Sequence, residues 1–377
     1  MFKNMKLGTK ISGGFGILIL IAIILGYYGW SSLNQVNSYV EAANDANIAK
    51  EQLQEARGHV KDFINRGFAV SGNNDKNSME KYEEVYRTQK TKLEEMLKND
   101  LLNSSDKDII HSISKSVDGY KTCCDRMADA RRAKDKAFAD WGRIGNNLTV
   151  NVNKSLSEVI EPGRKAAQNA GDTRQEREWA NITNLLDQHV VEPFLLLRVN
   201  AVYLVATNAE EQWQGYLKQQ QVLRQGLQEF SDGVKGNVKL EAAARELDGF
   251  IGEYEKVGVS YHDAIIEGDN AYRDLMVHAV DMTKNINDYQ SAMNSRMESV
   301  MARAITLMIT LAVIGAIIGA ILAFVIVRGI TKPVNRIIDA LTAGAEQVGA
   351  ASEQVAASGQ SLAEGASEQA SSLEETS

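Results

Sequence analysis

The chain has 377 residues, a formal net charge of −8, 44% hydrophobic residues and only 3 prolines. Scarce proline beside abundant Ala, Glu, Lys, Gln and Leu predicts an almost entirely helical protein. An acidic chain without a basic run lacks the charge pattern of a nucleic-acid-binding protein, so we expect no nucleic-acid partner. The sequence has no HExxH-like spacing, nucleophile–base pair or phosphate loop, so we expect no enzymatic activity and no metal or other cofactor.

Two uncharged apolar stretches dominate the hydropathy, at residues 11–30 and 304–327. Each is long enough, at about 1.5 Å per residue, to cross a hydrocarbon layer of roughly 30 Å. The first lacks an A-x-A cleavage site, which favours an anchor over a cleaved signal peptide. Both stretches are therefore predicted to be transmembrane helices.

Lysine and arginine residues determine the predicted orientation. Those on the outer sides of the two stretches are Lys3, Lys6, Lys10, Arg328, Lys332 and Arg336. Because positively charged flanks stay in the cytoplasm, residues 1–10 and the chain after 327 are predicted inside. Residues 31–303 then form one large external domain.

Turn signals divide the external domain into six helical stretches. They lie near 35–71, 76–98, 105–160, 173–207, 210–232 and 238–303. If they run alternately away from and toward the membrane, their lengths return the chain to the membrane surface. The first, second, third and sixth then overlap at one level, and the third to sixth at another. The predicted fold is all-α, with two stacked four-helix bundles that share the third and sixth helices, two flanking transmembrane helices and a cytoplasmic coiled coil.

Arginines within apolar helical surroundings are the distinctive polar residues of the external domain. Arg57 lies in EARGHVKDFINRGF and Arg198 in LLLRVNAVY. An unpaired buried charge is costly, so each must pair with a carboxylate, reach water or bind an anion. A small organic acid would satisfy either guanidinium through two parallel hydrogen bonds. An internal ion pair or a side chain that reaches water is the alternative.

The helix lengths also predict which side chains lie level with each arginine. Arg57 is expected level with residues 278–282 of the sixth helix, and Arg198 with residues 131–136 of the third and 259–262 of the sixth. The second level collects several cations, so we predict an anion site there. The predicted ligand-binding residues are Arg57, Arg198, Tyr203, Tyr261 and His262.

Several other residues carry structural expectations. Pro193 lacks an amide hydrogen and is expected to kink the fourth helix one turn before Arg198. Three tryptophans are expected in the bundle core, namely Trp141, Trp179 and Trp213. Adjacent helix residues point about 100° apart, so of Cys123 and Cys124 we expect one thiol buried and one near the surface. A vicinal disulfide is the alternative.

Residues 328–344 include ITKPVNRI, which resembles the first helix of a HAMP signal-relay module. Residues 345–377 then repeat every seven residues, with Val348, Val355 and Leu362 in one column. The adjacent column is Ala345, Ser352, Gly359, Ala366 and Leu373. Seven-residue repeats are typical of coiled coils, and small seam residues predict a marginally stable one.

The segment ASSLEE, residues 370–375, resembles the methylation motif of methyl-accepting chemotaxis proteins. In that motif two small residues and two others precede a pair of Glu or Gln. The resemblance implies Glu375 as a methyl acceptor, with Glu368 seven residues earlier as a second. Carboxylates on one face repel, and methylation would remove their charge. A merely solvated acidic face is the alternative.

The external six-helix region, with segments such as EARGHVKDFINRG and LLLRVNAVY, resembles the helical bimodular sensor domain of some bacterial chemoreceptors and sensor kinases. The resemblance implies a multi-pass inner-membrane chemoreceptor with a periplasmic sensor that binds an organic acid and signals to a histidine-kinase phosphorelay. It also implies a homodimer, higher-order receptor arrays, and as partners a chemotaxis kinase, coupling protein, methyltransferase and methylesterase. A sensor histidine kinase truncated before its catalytic domain is the alternative, although no H-box follows the second stretch.

Overall fold

The computed structural model describes residues 7–70 and 75–374, and these residues contain helices and no strand. Three uninterrupted helices are α1 (Leu7–Arg66), α2 (Ser78–Leu97) and α5 (Glu210–Gly233). Three more are continued through a π-helical turn: α3 (Ser104–Ser155, Leu156–Ile160, Glu161–Asn169), α4 (Thr173–Leu186, Asp187–Val191, Glu192–Thr207) and α6 (Val238–Ile326, Val327–Thr331, Lys332–Glu374). The predicted all-α fold is confirmed.

The described chain forms two compact units, the larger of which spans Ala42–Ala292. Within it, α1, α2 and parts of α3 and α6 form a first four-helix bundle. Its core includes Leu53, Phe63, Tyr82, Ile113, Tyr120, Leu275 and Tyr289. The second bundle combines the rest of α3 with α4, α5 and an earlier part of α6. Its core includes Trp141, Leu148, Phe194, Leu197, Tyr216, Leu247 and Tyr254. The predicted sharing of the third and sixth helices is confirmed.

Helices α2 and α3 begin at reciprocal side-chain caps. The Asn77 side chain accepts hydrogen bonds from the backbone N–H groups of Met79 and Glu80, at 2.9 and 3.1 Å. The Glu80 carboxylate in turn accepts the Asn77 N–H at 2.8 Å. Asn103 and Asp106 repeat this arrangement at the start of α3. Such caps satisfy amide groups that have no partner inside the helix, and therefore define where each helix starts.

Each of the three prolines lies two residues after a π-helical turn. Pro162 follows Leu156–Ile160, Pro193 follows Asp187–Val191, and Pro333 follows Val327–Thr331. Proline cannot donate to the carbonyl four residues earlier, and its ring would collide with that carbonyl. A wider turn relieves both problems, because backbone bonds then skip a residue; the Glu192 N–H donates to Asp187, five positions back. Helices α3, α4 and α6 therefore continue past their prolines.

The third helix is longer than the sequence predicted. We expected it to end near 160, where IEPGRK begins, but α3 continues to Asn169 and the chain turns at Gly171 with φ of +68°. The π-helical turn before Pro162 is the reason, because it lets the helix accommodate the proline. Nine additional residues lengthen α3 by about 13 Å, and α4 therefore lies farther along the bundle than predicted.

The smaller unit contains the described residues up to 41 and from 293 onward. Its apolar stretches of α1 and α6 pack antiparallel. Gly14 lies against Leu322, Ile21 against Gly315, and Gly29 against Met308, so that the numbers rise on one helix as they fall on the other. Large apolar side chains face outward, including Ile23 and Phe324. An antiparallel pair with an apolar exterior is suited to a lipid bilayer.

Three helices of the described chain are long and apolar enough to cross a membrane: α1, α6 and also α4, which the sequence interpretation had placed in the bundle. We retain that placement. Apolar residues on one side of α4 form part of the second bundle's core, namely Leu186, Val190, Phe194, Leu197 and Leu204.

The cysteine prediction was wrong in one respect. Both Cys123 and Cys124 are buried and free. Cys124 lies beside Tyr82 of α2, whereas Cys123 lies near Asp274 of α6. Because α3 has a partner helix on both sides here, directions 100° apart both point into the protein.

The tryptophans occupy the core as predicted, with one at its edge. Trp141 and Trp213 are buried, and Trp179 is half-buried against the same cluster. Its ring lies over Gly163 of α3, where a Cβ atom would collide with it.

Candidate functional site

Arg57 lies on α1 with its guanidinium against α6. Its Nη2 donates to the backbone oxygen of Ala279 and to Oγ1 of Thr283, both at 3.3 Å. This is the level on the sixth helix that the helix lengths predicted. Both acceptors are neutral, and no carboxylate forms an ion pair with Arg57 among residues 7–70 and 75–374. The guanidinium is exposed and retains donors for an anion.

Arg198 lies on α4 in the second bundle, and its side chain is half-buried. Its guanidinium carbon is 6.0 Å from the centroid of the Phe194 ring, and its neighbours include Gly145 of α3. Burial raises the pKa of Tyr254 on α6 to about 12, and the positive charge of Arg198 acts in the opposite direction. In the described part of the chain, Arg198 has no carboxylate ion-pair partner, so the alternative of an internal ion pair is not observed.

The predicted level of Arg198 was wrong. We expected residues 131–136 of α3 opposite it, but the structure places Gly145 there. The observed residue lies about nine positions beyond the predicted segment of α3, and α3 is nine residues longer than predicted. A boundary error in one helix was therefore carried into the register of the next.

Tyr261 and His262 belong to an aromatic cluster rather than to the surroundings of Arg198. The Tyr261 ring stacks on Trp141 with centroids 5.2 Å apart, and His262 stacks on Trp213 at 4.3 Å. His262 Nε2 also lies 3.0 Å from the Glu210 carboxylate. Tyr203 is 55% exposed on the outer side of α4. The structure does not bring these three residues together with Arg198.

Tyr261 instead reaches two polar residues that the sequence interpretation did not select. Its hydroxyl donates to Asn208 Oδ1 at 3.4 Å, and the Lys134 ammonium donates to the same oxygen at 2.7 Å. Asn208 ends α4 in the left-handed conformation, with φ of +52°. The available signal was the cationic segment 131–136 together with the turn ATNAEE.

The tail beyond the second apolar stretch is a single exposed helix. Lys332–Glu374 continues without a turn that could start a second HAMP-like helix. Its apolar column is uncovered, since Val348, Val355 and Leu362 are 67%, 71% and 78% exposed. Glu368 lies on this helix, whereas Glu375 lies outside the described residues. The tail is therefore a long helix whose seven-residue apolar column is uncovered.

Residues 4–177 match a family model described as a four helix bundle sensory module for signal transduction. The matched segment contains α1, α2 and α3 and reaches the first residues of α4. No curated protein matches the chain significantly. Together with the apolar stretches of α1 and α6, the match indicates a membrane protein with a sensory module of the kind found in chemoreceptors.

Proposed function

We propose that this chain is a two-span transmembrane chemoreceptor that binds an external small molecule and reports it to a cytoplasmic histidine-kinase phosphorelay. Helix α6 is the observation that carries the proposal. One helix supplies core residues to both bundles, contains an apolar stretch long enough for a membrane, and continues into a tail with seven-residue repeats. The sensory-module match over residues 4–177 supports the sensory role of the region before it.

The shared helix gives a physical route for the signal. Any ligand that binds more tightly to one packing arrangement of α6 shifts the population toward that arrangement. The change would reach the tail along α6, whose helix continues through the wider turn at Val327–Thr331. The tail's seam contains Ala, Ser and Gly, so a small free-energy change suffices to alter its packing.

The proposed adaptation chemistry uses the tail carboxylates. Glu368 and Glu375 are seven residues apart, a spacing that would place them on one side of a helix that continued through both. Their negative charges oppose close packing, and methyl esters or amides would remove them. Residues 31–303 would form the periplasmic sensor, 328–344 the HAMP-like link and 345–377 the start of the adaptation helix. A second copy, the chemotaxis kinase with its coupling protein, and the modifying enzymes are the proposed partners at the inner membrane.

We propose a small organic acid as the ligand class. Arg57 and Arg198 carry guanidinium groups for which no carboxylate partner exists among the described residues. An acid could bind either of them through two parallel charge-assisted hydrogen bonds. The half-buried position of Arg198 makes it the stronger candidate, because partial exclusion of water strengthens such bonds.

Arg198→Ala is expected to abolish ligand-induced stabilisation while leaving helical content unchanged. The measurement is the thermal midpoint of the full chain in lipid nanodiscs, across a panel of mono- and dicarboxylates. A ligand at one hundred times its dissociation constant should stabilise the wild-type chain by about 2.7 kcal/mol. Arg57→Ala should abolish the effect instead if the first bundle holds the site.

Arg174→Ala is the matched control, because Arg174 lies on the same helix, is 89% exposed and pairs with Glu178. It should retain the ligand effect. Stabilisation confined to amines or sugars would contradict the proposed ligand class. Unfolding of Arg198→Ala would show that Arg198 is a structural residue.

A further inference from the structure

A cleft of about 390 Å³ lies where the two bundles meet. Phe63 at the end of α1 and Ile265 of α6 contribute apolar walls, and Lys134 of α3, Asn208 at the end of α4 and Asp269 of α6 contribute polar groups. Its volume falls within the range of small-molecule sites, roughly 300–1,000 Å³. Arg131 of α3 also lines the cleft, which thus combines apolar surface with two cationic groups and one anionic group.

The Lys134 ammonium is incompletely compensated. Its hydrogen bond at 2.7 Å goes to the neutral amide oxygen of Asn208, and the Tyr261 ring centroid is 5.4 Å away. The nearby Arg131 is paired with Asp135 at 3.0 Å, whereas Lys134 forms no ion pair with any described carboxylate. Burial, together with the charge of Arg131, lowers the pKa of Lys134. A carboxylate arriving in the cleft would therefore stabilise the ammonium form.

Asp269 is the complementary group in the same cleft. Its carboxylate is exposed and forms no ion pair with any described residue, Lys134 included. The Asp269 charge favours the ammonium form of Lys134 without forming an ion pair with it, so both groups retain hydrogen-bonding capacity for a third molecule. A structural role in capping the α4 C-terminus would explain the position of the Lys134 ammonium, because a positive charge is favourable at the negative end of a helix. It would not account for an unpaired carboxylate beside the same apolar walls.

We propose that this cleft binds a small zwitterion with an apolar side chain, that is, an apolar α-amino acid. Its carboxylate would accept hydrogen bonds from Lys134, its ammonium group would donate to Asp269, and its side chain would pack on Phe63 and Ile265. The cleft is separate from Arg57 and Arg198. Its lining includes the end of α1, the end of α4 and both shared helices, so an occupant would connect the two bundles.

Binding in the cleft does not depend on the chemoreceptor function, whereas any effect of binding on the tail rests on that proposal. The experiment is isothermal calorimetry with the full chain in nanodiscs. The probes are L-leucine, 4-methylpentanoate, which lacks the ammonium group, and 3-methylbutylamine, which lacks the carboxylate. Each analogue loses one charge-assisted hydrogen bond and should bind the wild-type chain at least about tenfold more weakly than L-leucine.

Two variants separate recognition from structure. Lys134→Gln should weaken L-leucine at least about tenfold and leave the amine unaffected, whereas Asp269→Asn should weaken L-leucine and leave the acid unaffected. A purely structural role would not produce this crossed pattern. Lys136→Gln, on the same helix but outside the cleft lining, is the control and should bind L-leucine as the wild type does.

L-leucine that fails to bind the wild-type chain, or binds both cleft variants with wild-type affinity, would overturn the inference. Either result leaves the proposed function standing if carboxylates still act through Arg57 or Arg198. Because Asp269 is exposed, Asp269→Asn keeps the test decisive even if Lys134→Gln disturbs folding.

Discussion

Gly226→Ala is expected to destabilise the second bundle by about 2 kcal/mol or more, among the larger effects of a single methyl group. Gly226 is buried on α5, where a Cβ atom would overlap the backbone carbonyl of His189 on α4. A backbone group cannot rotate away as a flexible side chain can. The two helices would have to separate.

The reason for this close approach lies in Pro193. His189 is four residues before Pro193, so its carbonyl has no N–H partner at the usual helical position. The π-helical turn Asp187–Val191 leaves this carbonyl facing α5, and the missing side chain of Gly226 makes room for it. Proline on one helix and glycine on the next are therefore physically linked.

Gly249→Ala is the matched control, because nothing lies within 4 Å of the added Cβ atom on α6. Alanine is the better helix former, so this variant should gain about 0.5–1 kcal/mol. The measurement is the thermal midpoint of each full-length variant in nanodiscs. Equal or higher stability of Gly226→Ala would contradict the geometry of the α4–α5 contact.

Trp141→Ala is expected to cost about 3–5 kcal/mol. Trp141 is 4% exposed, and its ring contacts those of Tyr216, Tyr254 and Tyr261 at centroid distances of 5.6, 5.8 and 5.2 Å. Its Nε1 donates to the Tyr254 backbone oxygen at 3.0 Å, an oxygen that also accepts the Tyr216 hydroxyl at 3.2 Å. The substitution removes a large core side chain and one of these two bonds.

Phe138→Ala is the control on the same helix, since Phe138 is 55% exposed. It should change the thermal midpoint far less than Trp141→Ala, because little buried area is lost. If Trp141→Ala left the midpoint unchanged but abolished binding of a ligand, the aromatic cluster would be a ligand cage rather than the core.

Helix order, bundle sharing and the level of Arg57 could be predicted from the sequence because turn signals and helix lengths are local properties. The level of Arg57 depends on the first helix alone, which continues from the predicted membrane stretch without a break and ends at Arg66, five residues before the predicted end. The predicted level of Arg198 depended on where α3 ends, and Pro162 had suggested a turn there. A π-helical turn is not visible in a single sequence, so the register of α4 was missed by about nine residues.

The cleft residues illustrate a second limit. Lys134 and Asn208 are 74 positions apart, and their contact depends on how far α3 and α4 each extend. Sequence reasoning found the cationic segment but assigned it to Arg198. The prediction for the cysteines failed for a related reason. Burial of both thiols depends on the positions of α2 and α6 around α3 rather than on helical periodicity alone.

The most direct test of the receptor proposal is the site and ligand dependence of methylation in the tail. The full chain would be isolated from cells that contain a chemoreceptor methyltransferase, with and without a carboxylate that stabilises the bundles, and its peptides mapped by mass spectrometry. We expect methyl groups on Glu375 first and Glu368 second, at a level raised by an attractant ligand, with Glu353 unmodified as the control in the same helix. Modification at Glu374 or Glu353, no modification within residues 364–377, or a level indifferent to the ligand would contradict the proposal.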